Sequence, residues 1–197
     1  MKGDFSTIRT VGSTVPPDLL ERLVAGDSAL GSLDSSAYHL LPGESPRNGA
    51  HRAWAYLKQA WAAFGPDVQA RPASDPAVGF TRDRWLHILL SQLGFGRVPQ
   101  APAGGVSVAG RTYAVSHLWG HLPIHLLGWN VDLDRRTKGV PGAADRAPHP
   151  MVQELLNRSD DHLWAILTNG RKLRLLRDST NLTGLSYVEF DLETMFA

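Results

Sequence analysis

The chain has no cysteine. That excludes a disulfide framework, a thiolate zinc site and a cysteine nucleophile, and it fits a reducing compartment. A strong excess of either charge is also missing: 20 Lys and Arg stand against 19 Asp and Glu, a formal net charge of +1. A dedicated nucleic-acid module carries a larger basic excess, so only local patches argue for DNA. No stretch approaches the roughly 20 apolar residues that a membrane span needs. Met1 to Val15 holds a single early Lys2 and no continuous apolar run, so it does not read as a signal peptide. The expected setting is cytoplasmic, with no membrane partner. A last absence is local: between Asp83 and Asp132 there is no Asp or Glu.

What is present suffices for one full core and a small N-terminal appendage, with 43% of 197 residues hydrophobic. Glycine and proline gather at Gly65-Pro66, Pro99 to Gly105 and Gly139-Val140-Pro141-Gly142, between apolar segments, and read as connections rather than disorder. Residues 1–15 read as an irregular lead-in. Pro16-Pro17-Asp18 opens a short helix with Leu19, Leu20, Leu23 and Val24 as its stripe, ended by Gly26. Ser45 and Pro46 start a longer helix in which Ala50, Trp54, Leu57, Trp61 and Phe64 recur at helical spacing, and Gly65-Pro66 is its expected stop. Trp54 and Trp61 then share a face, which points to core packing. Thr81 is the expected cap of a further helix carrying Trp85, Ile88, Leu89 and Leu93, stopped by Gly94-Phe95-Gly96.

From Arg97 the period changes. Val106 to Ser116 predicts a hairpin turning at Ala109-Gly110, and Ile124 to Trp129 a strand buried on both faces. Pro148 to Arg158 predicts a helix with Met151, Val152, Leu155 and Leu156 inward. Leu163 to Thr168 and Lys172 to Arg177 are strands joined at Asn169-Gly170, a strong hairpin signal because both residues accept positive φ. Ser186 to Phe190 is a last strand, and Asp191 caps a helix that the chain end cuts short. The order predicts an α+β fold, a mixed β-sheet with flanking helices. We divide it into an N-terminal helical segment, 1–79, and an α+β domain, 80–197. The cut-short helix suggests a longer parent polypeptide.

Three stretches carry a family resemblance. The first is Phe80-Thr81-Arg82-Asp83-Arg84-Trp85 through Leu93-Gly94-Phe95-Gly96. The second runs from Tyr113-Ala114-Val115-Ser116-His117 through Pro123-Ile124-His125-Leu126-Leu127-Gly128 to Val131-Asp132-Leu133-Asp134-Arg135-Arg136-Thr137. The third, and most specific, runs from Pro148-His149-Pro150 through Ser159-Asp160-Asp161-His162, Thr168-Asn169-Gly170 and Leu173-Arg174-Leu175-Leu176-Arg177 to Tyr187-Val188-Glu189-Phe190-Asp191-Leu192. Together they resemble the N-terminal region of the large type IIG-like, adenine-specific DNA methyltransferases of bacterial restriction–modification and phage-defence systems. The resemblance implies a methylase domain downstream, with S-adenosylmethionine as cofactor of that parent. This segment needs none: no Asn-Pro-Pro or Asp-Pro-Pro followed by an aromatic occurs in it. It also implies a fold similar to the PD-(D/E)xK nucleases.

Such a nuclease holds Mg²⁺ with carboxylates on a hairpin and the following strand, with a lysine beside the second. Here the acid-free stretch spans both places, and Ile124-His125-Leu126-Leu127 is apolar apart from His125. Activity would need Asp132 or Asp134 as substitutes, followed by Arg135 and Arg136, and a guanidinium cannot act as a general base. We therefore expect a degenerate nuclease-like fold without catalysis.

Other constellations are weaker. His117, His121 and His125 recur every four residues, but Gly120 and Pro123 break a helix and an extended chain spreads them too far for one zinc ion. Arg135, Arg136 and Lys138 in one loop, with Arg171, Lys172, Arg174 and Arg177 on the last hairpin, are candidate contacts to DNA backbone phosphates. Lys172 and Arg174 are expected on one strand face. Ser159-Asp160-Asp161-His162 lacks the glycine pattern of a nucleophile elbow, and Gly104-Gly105 lacks that of a phosphate loop. The expected function is a non-methylase domain that assists DNA contact or docks the downstream methylase or a defence-system subunit. The alternatives are an active Mg²⁺-dependent endonuclease and a stand-alone protein-interaction domain.

Overall fold

Ser45 begins the longest helix as its chemistry dictates: its hydroxyl accepts from the Asn48 amide at 3.3 Å, and Pro46 takes the first helical position. The computed structural model describes residues 5–12, 14–16, 18–30, 35–38, 40–178 and 186–197, so Met1, Lys2 and Pro17 lie outside it. Gly65-Pro66 does not end this helix, α2, which runs Pro46–Gln69. An interior proline costs about 3 kcal/mol. Phe64 and Val68, both buried in the last two turns, each return about 1.5–3 kcal/mol. Trp61 is buried, whereas Trp54 is half-exposed and stacks on Phe196 at 4.5 Å. The preceding helix, α1 (Leu19–Ala25), ends at left-handed Gly26 as expected, but its apolar stripe is not buried.

Thr81 is not a helix cap. The chain turns helical earlier, as α3 (Val78–Thr81), continues through one π-helical stretch (Arg82–Leu86) and ends as α4 (His87–Gln92). The Thr81 side chain is fully buried, and its hydroxyl accepts the Trp129 amide at 3.0 Å. Asp75 orders the entry instead, accepting the Ala77 amide at 2.8 Å.

Among the described residues the strands form a six-stranded sheet, β1-β8-β7-β6-β5-β4, and a separate hairpin of β2 and β3. In chain order they are β1 (Ile8–Val11), β2 (Val106–Val108), β3 (Arg111–Tyr113), β4 (His117–Trp119), β5 (Leu122–Leu126), β6 (Trp164–Thr168), β7 (Lys172–Arg177) and β8 (Tyr187–Asp191). Between β5 and β6 runs α5 (Pro148–Asn157), the crossover that a parallel pair requires; the other pairs are antiparallel. This is the α+β mixed sheet the sequence predicts. The lead-in corrects one detail, because Ile8–Val11 pairs with β8 as an edge strand. The β2–β3 turn has positive φ at both Ala109 and Gly110, as a type I′ hairpin needs.

Strand alternation divides the core into two layers. Ile124, Leu126, Ile166 and Leu173 face α2, α4 and the short C-terminal helix α6 (Leu192–Phe196), in a core shared with Trp61, Phe64 and Trp85. Leu127, Ala165, Leu167, Leu176 and Tyr187 face α5, the β2–β3 hairpin and the loop before α5. Residues on both sides of position 80 thus share the first core.

Candidate functional site

The Thr168-Asn169-Gly170 turn does more than reverse the chain. Asn169 Oδ1 accepts the amides of Arg171 and Lys172, while its Nδ2 donates to Val131 O at 2.8 Å. Across the same loop the His149 amide donates to Leu133 O at 2.8 Å. These two ties hold the segment 131–134 over the α5 face of the sheet, and they deliver Asp134 to β7.

There Arg174, 5% exposed, spans two carboxylates. Its Nη1 and Nη2 donate to Asp134 Oδ1 and Oδ2 at 2.6 and 2.8 Å, and its Nε donates to Glu189 Oε2 at 2.6 Å. Lys172 Nζ donates to the remaining oxygen, Glu189 Oε1, at 3.0 Å. All four carboxylate oxygens therefore accept from a cation, and the two positive and two negative charges cancel. The cross-strand register Arg174↔Glu189 fixes the arrangement, and the Tyr187 ring lies 4.8 Å from the guanidinium. The Arg174 hydrogen bonds hold Asp134 below the usual carboxylate range. Burial pushes Glu189 up, but Arg174 and Lys172 together outweigh it and hold Glu189 low.

His149 completes the cluster. Its Nδ1 lies 2.9 Å from Arg174 Nη1, and a guanidinium only donates, so Nδ1 accepts and the proton is on Nε2. That Nε2 is buried without a hydrogen-bond partner. Burial, then Arg174, depresses its pKa to about 4.

The chemistry of this arrangement is that of a filled site. Asp134 and Glu189 converge as metal-binding carboxylates do, but Arg174 takes the position between them. Among the described residues no three His, Asp or Glu come together to hold a metal ion. Asp132 is half-exposed; its Oδ1 accepts the Asp134 amide at 2.7 Å, and Arg135 lies 4.0 Å from Oδ2.

The histidine trio does not converge. His117 lies beside His87, ring centroids 5.9 Å apart, in a cleft with Ser91, Arg97 and Gln100. His121 is at an exposed turn, and its carbonyl meets His162 Nδ1 at 2.7 Å. His125 is buried with both nitrogens used: Nδ1 accepts the Ser116 amide and Nε2 donates to Gly142 O at 3.0 Å. Gly142 has φ 76°, and a Cβ there would meet Ala114 O at 2.7 Å and collide with the His125 ring. Gly142→Ala should therefore lower stability by about 1–3 kcal/mol in urea unfolding, without altering the slope.

Burial drives the pKa of His125, and of His117 with help from His87 and Arg82, down to about 4. With His149, three histidines stay neutral in the fold while the unfolded chain protonates near pH 6.5. The unfolded state then binds more protons, so stability is held above that pH and falls as pH drops toward 4, by up to about 1.4 kcal/mol per unit for each histidine. Melting temperatures should decline from pH 7 to 5, and a flat profile would contradict these assignments.

The candidate DNA contacts separate. Lys172 and Arg174 share the α5 face but are engaged by Glu189 and Asp134. Arg171 donates twice to Glu193 and lies 5.4 Å from the Trp129 ring, clamping α6. Arg177 lies over the Trp164 ring at 5.5 Å, in the alternate set of β7 residues. Arg135, Arg136 and Lys138 remain exposed on the loop over the α5 face. Ser159 Oγ accepts the Asp161 and His162 amides, closing the turn after α5 rather than serving as a nucleophile.

Glu189 and His149 escape sequence reasoning as site residues, since only strand register and the loop ties bring them to Arg174. Comparison of the chain with protein-family models, curated proteins and solved structures finds no match.

Proposed function

We propose that this chain acts as a non-catalytic, non-methylase domain of a restriction–modification or phage-defence DNA methyltransferase, where it contacts DNA backbone and docks the methylase portion. One observation carries the reading. The segments that resemble that family meet at the Arg174 cluster: Val131 to Asp134, Pro148-His149-Pro150 and Tyr187 to Leu192 supply Asp134, His149 and Glu189, and Thr168-Asn169-Gly170 holds Val131 in place. A cluster whose carboxylates are neutralised by internal cations organises loop 131–147 and cannot accept a hard divalent ion in the same oxygens. That favours the structural role over the endonuclease alternative. The loop so organised carries the exposed cations Arg135, Arg136 and Lys138. S-adenosylmethionine belongs to the methylase portion of such a parent, since no motif for it exists in these residues.

Two assays test the proposal. Plasmid incubated with the chain and Mg²⁺ or Mn²⁺ should stay intact; cleavage abolished by Asp134→Ala would establish the endonuclease instead. Duplex binding should be measurable at low salt and weaken steeply as salt rises. Absence of binding at low ionic strength would favour a protein-interaction domain without a nucleic-acid role.

A further inference from the structure

The cations of the Arg174 cluster are spent internally, but a second cluster on α5 is not balanced. Glu154 receives three guanidiniums from three parts of the chain. Arg111 of β3 donates to Oε1, Arg146 of the loop before α5 donates to Oε2 at 2.6 Å, and Arg158, just past the end of α5, reaches Oε1 at 3.5 Å. Tyr113 adds its hydroxyl to Oε1 at 3.3 Å. Among the described residues no second carboxylate pairs with any of the three arginines. Three positive charges on one negative leave an excess of two.

The side chains of Arg111, Arg146 and Arg158 are 40, 38 and 45% exposed. Each guanidinium has five N–H donors, and Glu154 engages only a fraction of them. The shared carboxylate fixes three long side chains in one place, so a further anion would bind without the full cost of ordering them. Forked donors held this way suit phosphate oxygens.

We propose that the Arg111/Arg146/Arg158 patch is the docking surface for the phosphates of duplex DNA, with Glu154 holding the three guanidiniums in place. This rests on the DNA-contact reading above and locates it. The same loop carries the exposed residues Arg135, Arg136 and Lys138. The contact is independent of base sequence, because only backbone oxygens are met.

Fluorescence anisotropy of a short labelled duplex, titrated at several salt concentrations, tests the assignment. Arg146→Ala and Arg158→Ala should each weaken binding roughly fivefold at low salt and reduce the log–log salt slope by about one. Glu154→Gln keeps the side-chain shape but replaces one accepting oxygen with an NH2 that cannot accept from a guanidinium; loss of the opposing negative charge outweighs the loosened clamp and should tighten binding roughly twofold to fivefold. A purely structural clamp predicts the opposite pattern, with melting temperatures lowered and affinities unchanged; circular dichroism on each variant separates the two. Should Arg111→Ala fail to fold, Glu154→Gln and Arg158→Ala still decide. Unchanged affinity in the arginine variants, with binding lost in the Arg135/Arg136/Lys138 triple alanine variant, would overturn this surface and leave the DNA-contact reading standing. No duplex binding by the native chain would overturn both. Binding to poly-glutamate but not to duplex would assign the patch to an acidic protein partner instead.

Discussion

Replacing Arg174 with Met is expected to destabilise the fold by about 3–5 kcal/mol, because it leaves a buried carboxylate short of its main cation. Met keeps the apolar stem and removes the guanidinium, with its contact to the Tyr187 ring, so the loss is chiefly one of charge and its hydrogen bonds. The cost falls mainly on Glu189, whose side chain is 7% exposed, whereas Asp134 is 56% exposed and returns to water. Lys172 still reaches Glu189 but is itself half in solvent. The pH dependence distinguishes this cause from lost packing. In the native chain Glu189 is held low, so its contribution is present above the unfolded carboxylate pKa and is lost on acidification through the folded value. Without Arg174 burial dominates, and the Glu189 pKa rises above its unfolded value. The Glu189 contribution to the variant's stability is then most favourable below about pH 4 and declines as pH rises. The gap between native and variant should therefore narrow between pH 7 and 5. Adding Glu189→Gln to Arg174→Met should recover much of the loss. A gap independent of pH would mean that packing, not charge, makes Arg174 necessary.

Trp85→Ala should cost about 3–5 kcal/mol, the range for removing a fully buried large aromatic. Trp85 is 0% exposed and meets the Trp61, Phe64 and Phe196 rings at centroid distances of 5.0, 6.1 and 5.2 Å. Its Nε1 donates to Gly170 O at 3.0 Å, so the same side chain ties the helical layer to the β6–β7 turn. Trp85→Phe keeps most of the apolar contact and leaves Gly170 O without that donor, an expected loss of about 1–2 kcal/mol. Urea unfolding of both variants checks the ordering. A loss below about 1 kcal/mol for Trp85→Ala would contradict the role of this cluster as the first core's centre.

Local chemistry explains which elements were readable in the sequence. Asn169-Gly170 specifies its hairpin within four residues, and Ser45-Pro46 and Asp191 cap helices through bonds to amides three residues on. Elements set by tertiary partners were not readable. Ile8–Val11 lacks a buried run and is a strand only because β8 offers an edge. Thr81 looks like a cap, but its hydroxyl serves Trp129. Pro66 looks like a stop, but the buried Val68 carries the helix past it. The candidate site follows the same division. Arg174 was visible as a cation and read as a DNA contact, because its carboxylates lie 40 residues before it and 15 after it. The acid-free interval from 84 to 131 was visible in the sequence. It did not reveal that Asp134 and Glu189 would meet elsewhere on the sheet. The three arginines around Glu154 come from positions 111, 146 and 158, and no sequence window contains them together.

Crystals of the chain grown with Mn²⁺ would test the central claim most directly, through an anomalous difference map. With Arg174 bonded to both carboxylates, no peak should occur between Asp134 and Glu189. A manganese ion at about 2.1 Å from oxygens of both residues, with Arg174 turned away, would contradict the account and favour the metal-dependent endonuclease alternative.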